Sequence, residues 1–351
     1  MKRAADRIKR STVHRSSSLV SRVRLQAAVE AGFRDARMME GAQEIPARAL
    51  KMYMRDGFCE HVEASLHAES RYEAVQKIGK AYIAGFAAAY PYPIPRFVLL
   101  PTRKRLAIVL SALNEQEGIG SVLAELERLS VDEIIVIVNG STDETFDEVR
   151  RHSNEVLLIH YPYRLGHDIG RAIGAKIARA DAVLFADSDF PVSAEQLGAF
   201  LWSVEQGVDV ALNDLRPLMG RFDEQDSISH VKKWLNLVLG RHDLEVNSMT
   251  AIPHALSRKA IEMIGVQHLS VPPKAHAIAI MRGLKVESVQ TVDVITRNKV
   301  RDTNVGPDNP VSQLITGDHI EAVQEIWNQY GDRLNEPQQV RSRIATRRNS
   351  S

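Results

Sequence analysis

The sequence predicts an α/β protein, a mostly parallel sheet flanked by helices with an N-terminal helical extension. Three observations predict it. Between Leu106 and Phe185, apolar runs of strand length alternate four times with amphipathic stretches of helix length, at the spacing of βαβ units. Ahead of them, residues 19–90 repeat their apolar positions at helical spacing up to Pro91-Tyr92-Pro93-Ile94-Pro95, where alternate prolines forbid both helix and ladder. Finally, the buried run Ala182-Val183-Leu184-Phe185 stops at Asp187-Ser188-Asp189, two carboxylates at a strand end, where open α/β sheets bind their ligands.

Composition narrows the class. The 351 residues are 44% apolar and 25% charged, ordinary values for a folded globular chain. No apolar run is long enough to cross a membrane as a helix. The single cysteine, Cys59, excludes a disulfide framework and a thiolate zinc site and fits a reducing, cytoplasmic setting; a buried, inert thiol is the expected role. The net charge of +1 hides an asymmetry: residues 1–25 carry +7, residues 340–351 carry +4, and the middle carries −10. The tails, 1–18 and 336–351, read as disordered and basic, suited to peripheral contact with an anionic membrane face. Arg15-Ser16-Ser17-Ser18 also has the character of a transit peptide, and no secretory apolar region is present.

Taken in order, Leu25, Val29, Phe33 and Ala36 define one face of a first helix, and Ala74, Ile78, Ala81 and Tyr82 continue that style. Residues 19–95 are thus a helical extension with a Pro-rich linker, a packing or oligomerisation lobe or a cover for the site, and 96–335 are the α/β domain. Strands are expected at 106–110, 134–138, 156–159, 182–186 and 209–212, with one or two more within 284–295. Helices are expected at 115–129, 146–151, 167–179 and 310–330, and residues 228–266 read as mainly helical.

The motifs sit between these elements. In Asn139-Gly140-Ser141-Thr142-Asp143, Gly140 permits a tight turn and Ser141 or Thr142 can cap the following helix. Gly166, Gly170 and Gly174 are four apart, which bares one helix face for close packing on the sheet, while His167 and Arg171 near the helix start suit a phosphate. This spacing is not the dinucleotide fingerprint. Asp187 and Asp189 suit a hard divalent cation that keeps positions open for phosphate oxygens. His230, His242, His254, His268 and His276 lack the spacing of a zinc site.

In this order the motifs resemble glycosyltransferase family 2, of GT-A fold, in the group that includes dolichol-phosphate mannose synthase and glucosyl-3-phosphoglycerate synthase. Ser111-Ala112-Leu113-Asn114-Glu115 matches the family's opening polar motif, Asn139 to Asp143 its Asp-Gly-Ser-Thr-Asp-like loop, Gly166 to Gly174 its Gly-Lys-Gly-like loop, and Asp187-Ser188-Asp189 its metal-binding D-x-D. The resemblance covers about residues 104–300. It implies transfer of a sugar from a nucleotide-diphosphate sugar to an acceptor that is a small molecule, a lipid phosphate or a glycan. It implies Mg²⁺ or Mn²⁺ on Asp187 and Asp189, with Asp189 essential to catalysis. Asn139 and the 111–115 turn, with Ser111, Leu113, Asn114 and Glu115, would face the base and ribose, His167 and either Arg171 or Arg216 the diphosphate, and Ser141, Gly166, Asp187 and Ser188 would complete the nucleotide-sugar site. Asn139 stands where the family usually has Asp, and His167 where it has Lys. Val271 to His276 lacks the acidic base of inverting members, which leaves a retaining reaction, His276 or a more distant acid as alternatives. A sugar-phosphate nucleotidyltransferase would carry a basic, glycine-rich loop after its first strand, a dehydrogenase the glycine fingerprint; a non-catalytic nucleotide-sugar-binding scaffold would need neither. No feature points to nucleic acid, and a homo-oligomer is compatible with the helical extension.

Overall fold

The computed structural model describes residues 20–39, 41, 43–63, 71–153, 155–296, 310–331 and 334. The two basic tails of the sequence reading, 1–18 and 336–351, lie outside these residues. Three helices come first, α1 (Arg22–Arg37), α2 (Ala47–Glu63) and α3 (Tyr72–Ala89). The α/β succession follows: β1 (Leu106–Ala112), α4 (Ile119–Glu127), β2 (Glu133–Asn139), α5 (Thr145–His152), β3 (Leu157–Tyr161), α6 (Ile169–Ile177), β4 (Ala182–Asp187), α7 (Ala194–Glu205) and β5 (Val210–Asn213). The chain ends through α8 (Ser227–Val238), β6 (His254–Ser257), α9 (Arg258–Ile264), α10 (Pro272–Met281), β7 (Val286–Gln290) and α11 (Pro310–Tyr330).

The seven strands form one sheet in the order β3-β2-β1-β4-β6-β5-β7. All neighbours are parallel except β6, which runs against both β4 and β5. The sequence reading placed residues 228–266 as mainly helical; β6 lies inside them. Its four residues, His-Ala-Leu-Ser, are too short to set a period against the helices on either side.

Strand alternation divides the core. Ile108, Leu110, Val136, Val138, Leu184 and Ala186 face one side, against α4, α7 and the N-terminal helices. Val109, Ile135, Ile137, Val183 and Phe185 face the other, against α6, α9 and α10. The helical extension shares the first of these cores, because residues such as Phe58, Ile78 and Phe86 belong to one cluster with Leu110 and Phe200. Polar ties cross the same seam: Arg55 pairs with Asp132 at 2.9 Å, and Gln76 donates to the Glu195 carbonyl at 2.9 Å.

Within the extension, α1 buries Ala28, Ala31, Gly32 and Ala36 and leaves Phe33 exposed, so the expected Leu25–Val29–Phe33–Ala36 face is displaced. The cause is close helix packing. A Cβ on Gly32 would lie 2.0 Å from the Tyr82 carbonyl oxygen, and one on Gly85 1.9 Å from that of Val29. Small residues let the two backbones touch, and a search for large apolar side chains passes over such a face. Cys59 is buried, as the sequence predicts.

Candidate active site

The chain steps from β1 outward to β2 and β3, then returns to place β4 on the other side of β1. Ligands of open α/β sheets bind at such a reversal, outside the carboxyl ends of the strands. Ser111 on β1 lies level with Asp187 on β4. The Ser188 hydroxyl donates to the Ser111 carbonyl at 2.9 Å and joins the two strand ends. A cavity of about 530 Å³ opens here. Ser111, Leu113, Asn139, Gly166, His167, Arg171, Asp187, Ser188 and Asp189 all line it.

Hydrogen bonds fix the loops of this wall. The Thr142 N–H donates to Asn114 Oδ1 at 2.8 Å, and the Asn114 N–H to Ser141 Oγ at 3.1 Å. The Gln116 N–H donates to Asp143 Oδ2 at 3.1 Å, the Glu144 N–H to Gln116 Oε1 at 3.0 Å, and the Glu115 N–H to Thr145 Oγ1 at 2.8 Å. Five bonds thus zip the loop after β1 to the loop after β2. Burial would raise the Asp143 carboxyl, but the bonds it accepts from Thr145 and Gln116 hold it below the usual range. Asp143, rather than Ser141 or Thr142, accepts from the Thr145 N–H at 3.0 Å at the start of α5.

Asn139 closes the next junction. Its Nδ2 donates to the Gly166 carbonyl at 2.8 Å, and its Oδ1 accepts from the Leu165 N–H at 2.9 Å. Gly140, with φ +75°, allows the turn; a Cβ there would lie 2.7 Å from the Arg164 backbone. Behind this loop, α6 sits directly on β1. A Cβ on Gly170 would meet Ser111 Oγ at 2.5 Å, and one on Gly174 would meet Val109 Cγ1 at 2.2 Å. Glycine spacing therefore carries the packing role read from the sequence. Arg171, on the same helix, is buried, paired with Asp168 at 3.0 Å, and donates to the Met249 carbonyl at 2.9 Å.

Five sequence candidates do not line the cavity. Asn114 and Ser141 belong to the loop zipper, and Glu115 is buried beside it with its carbonyl accepting from the Gly118 and Ile119 N–H groups at the start of α4. Arg216 is turned onto Asp214, with contacts of 2.7 and 2.8 Å, and onto the Asp243 carbonyl. His276 lies buried in α10, its Nε2 2.8 Å from Asn236 Oδ1, and burial lowers its pKa to about 3. An imidazole held neutral in the core is a packing group, not a group at the cavity. His254 is likewise buried, stacked on Phe185 at 5.2 Å between ring centroids, with its pKa lowered by burial to about 3.

The opposite wall comes from residues that carried no motif in the sequence, though the helices at 228 onward and 310–330 were expected. Leu215, Val246 and Ala251 form a small buried apolar cluster, with Leu218, Met219 and Val294 packed against it. Ile228 of α8, Ile252, and Val311 and Ile315 of α11 add apolar side chains, and Gln225, Ser229, Lys232 and Thr250 add polar ones. Its carboxylates are Glu224 and Asp226; Asp226 caps α8 by accepting from the Ser229 N–H at 2.6 Å. Lys232 carried no motif signal, because a lone lysine on a helix reads as a solvated face.

Among the described residues no group of three or more His, Cys, Asp and Glu side chains converges to hold a metal. Asp187 is exposed at the strand end, while Asp189 is partly buried in the cavity wall. Two carboxylates with remaining positions left to phosphate and water suit Mg²⁺ or Mn²⁺ and do not make an all-protein cage.

Residues 107–254 match the model of the family described as "Glycosyl transferase family 2". Glucosyl-3-phosphoglycerate synthase of Mycolicibacterium paratuberculosis is 39% identical over 98 residues, covering 24% of this chain and 29% of that protein. Dolichyl-phosphate hexose transferase of Haloferax volcanii is 32% identical over 112 residues, covering 31% of this chain and 47% of that protein. The chain therefore spans less than half the length of these relatives. Among solved structures, glucosyl-3-phosphoglycerate synthase from Mycobacterium tuberculosis in complex with Mn²⁺, UDP and phosphoglyceric acid gives a TM-score of 0.46 at 16% identity, over 67% of this chain and 80% of that one.

Proposed function

We propose that this chain, whose residues 107–254 match the glycosyl transferase family 2 model, moves a sugar from a nucleotide-diphosphate sugar to an acceptor. The observation that carries the reading is the pair Asp187, level with Ser111 at the end of β4, and Asp189, two residues on, both lining the cavity.

In this reading the nucleotide lies over the ends of β1 and β2, against Ser111, Leu113 and Asn139. Asn139 acts by holding the 165–166 backbone in place, so that Gly166 and His167 border the diphosphate. Asp187 and Asp189 would hold Mg²⁺ or Mn²⁺, which neutralises the charge building on the departing nucleoside diphosphate. Arg171, ion-paired with Asp168, lines the cavity with these two residues. Its tie to Asp168 and the Met249 carbonyl keeps the guanidinium in one place, so little reorganisation is required during transfer. The acceptor enters from the wall of α8, α11 and the 215–226 segment.

Thermal unfolding against UDP, GDP and ADP, with and without Mn²⁺, tests this reading. A nucleotide at 100 times its dissociation constant raises stability by about 2.7 kcal/mol. A Mn²⁺-dependent shift with one nucleotide, lost in Asp189→Ala, is the expected result. No shift with any nucleotide overturns the reading.

A further inference from the structure

We propose that Arg164 is the residue that reads the donor base, and that it selects a base edge with two adjacent hydrogen-bond acceptors, as in guanine or cytosine, over uracil and adenine. The proposal rests on the glycosyltransferase reading of this cavity and names the side chain that discriminates among its donors.

The end of β2 fixes the backbone of this arginine. Asn139, the last residue of β2, is buried, and both ends of its amide are spent. Its Nδ2 donates to the Gly166 carbonyl at 2.8 Å, and its Oδ1 accepts from the Leu165 N–H at 2.9 Å. The Gly140 N–H donates to the Tyr161 carbonyl at 2.9 Å. The 161–166 loop is therefore tied at both ends to the turn after β2. Between the ties the Arg164 backbone stands so near Gly140 that a Cβ on the glycine would lie 2.7 Å from it. The Arg164 side chain is exposed and lines the cavity, and it has no hydrogen-bond or ion-pair partner among the described residues. The other guanidinium groups near the site are engaged: Arg171 with Asp168 and the Met249 carbonyl, and Arg216 with Asp214. Arg164 thus combines a fixed root with a free donor fork.

Its surroundings decide what the fork can read. At the ends of β1 and β2 the cavity is lined by Ser111, Leu113, Asn139 and Arg164, and of these only Arg164 offers a planar set of donors. No free carboxylate stands in the adjoining turn. Asp143 accepts from the Thr145 and Gln116 N–H groups, and Glu144 pairs with Arg151 at 2.9 Å. Side chains at this end can therefore donate in pairs and cannot accept in pairs. A guanidinium fork takes two acceptors side by side. Guanine presents them at N7 and O6, and cytosine at O2 and N3. Adenine sets its N6 donor beside N7, and uracil places N3–H between its two carbonyls, so either leaves one arm of the fork unmatched. The diphosphate has its own partners in the metal at β4 and in the 166–167 backbone, which leaves the fork for the base.

Calorimetric titration of the full chain with GDP, CDP, UDP and ADP in the presence of Mn²⁺ tests the proposal. GDP or CDP should bind at least about tenfold tighter than UDP and ADP, which still bind through diphosphate and metal. Arg164→Lys keeps the charge and loses the fork. It should remove the preference while UDP affinity stays within about threefold, and Arg164→Met should remove the preference as well. Where GDP is the preferred nucleotide, two analogues read the edge without any variant. 7-Deaza-GDP, which lacks the N7 acceptor, should bind about tenfold weaker than GDP, whereas IDP, which keeps N7 and O6, should bind within about threefold of it. UDP or ADP binding as tightly as the better of GDP and CDP overturns the proposal. A preference that survives Arg164→Met overturns it, as does 7-deaza-GDP matching a preferred GDP. Equal weakening of all four nucleotides in Arg164→Met, restored in Arg164→Lys, gives the arginine to the diphosphate and overturns base reading. No Mn²⁺-dependent binding of any nucleotide fails the glycosyltransferase reading itself.

Discussion

The two walls of the cavity are built on different principles. The β1–β4 wall is held by backbone. Loop amides and short polar side chains interlock across the ends of β1 and β2, Asn139 fastens the next loop, and glycines seat α6 on the sheet. The facing wall sets the side chains of the Leu215–Val246–Ala251 cluster among polar ones, Glu224, Gln225, Asp226, Ser229, Lys232 and Thr250. The difference teaches where geometry is fixed and where it is free. A diphosphate and a metal need groups held to within a fraction of an ångström, and interlocked amides provide that. Side chains packed on one another without such a bond network tolerate substitution more readily.

Experiments that break the comparison begin with the largest effect. Asp189→Ala should lower transfer by about a thousandfold or more, because the metal's stabilisation of the leaving group goes with it. The unfolding midpoint should stay within about 2 °C, as the side chain contributes to ligand binding and not to the core; comparable turnover in the variant would sink the metal assignment. Next, Gly174→Val forces side-chain atoms into Val109 and should cost about 3 kcal/mol in urea unfolding. A neutral result would mean that α6 is not seated on β1 through its glycines.

Acid should act through the core and not through the cavity. Burial holds His254 and His276 near pKa 3, against an ordinary value of 6.5. Between those values the unfolded chain binds protons that the folded chain does not. Stability is therefore full above about pH 6.5 and falls as pH drops toward 3. Denaturant midpoints that stay flat from pH 7 to pH 4 would contradict neutral burial of both rings. Smaller still, Asn139→Ala should cost about 1–3 kcal/mol and weaken nucleotide binding, since two loop hydrogen bonds are lost. His276→Leu leaves Asn236 Oδ1 without its imidazole and should cost a similar 1–3 kcal/mol while turnover per folded molecule is kept. A fall in turnover at unchanged stability would return His276 to the chemistry.

Legibility in the sequence follows the same division. The strands β1 to β5 announced themselves as apolar runs bounded by turns, and Asp187-Ser188-Asp189 was visible because its strand was. The Gly170–Gly174 spacing foretold close packing on the sheet. Asn139 was found but with a different occupation: its amide binds loop backbone, a partnership made across residues 26–27 positions apart. Arg216 reads from sequence as a free cation, and Asp214 two residues before it takes the guanidinium. Strand β6 was invisible for a physical reason: it gains its meaning from β4 and β5 on either side, partners tens of residues away along the chain. Local periodicity carries no trace of such neighbours.

The most direct measurement is an electron paramagnetic resonance titration of Mn²⁺ against the unmodified chain and Asp189→Asn, each with and without UDP. The unmodified chain should bind Mn²⁺ tightly only when UDP is present, because two carboxylates leave the remaining positions to the diphosphate, and Asp189→Asn should lose that binding. Tight Mn²⁺ binding by Asp189→Asn with UDP, or no UDP-dependent binding by the unmodified chain, would contradict the account.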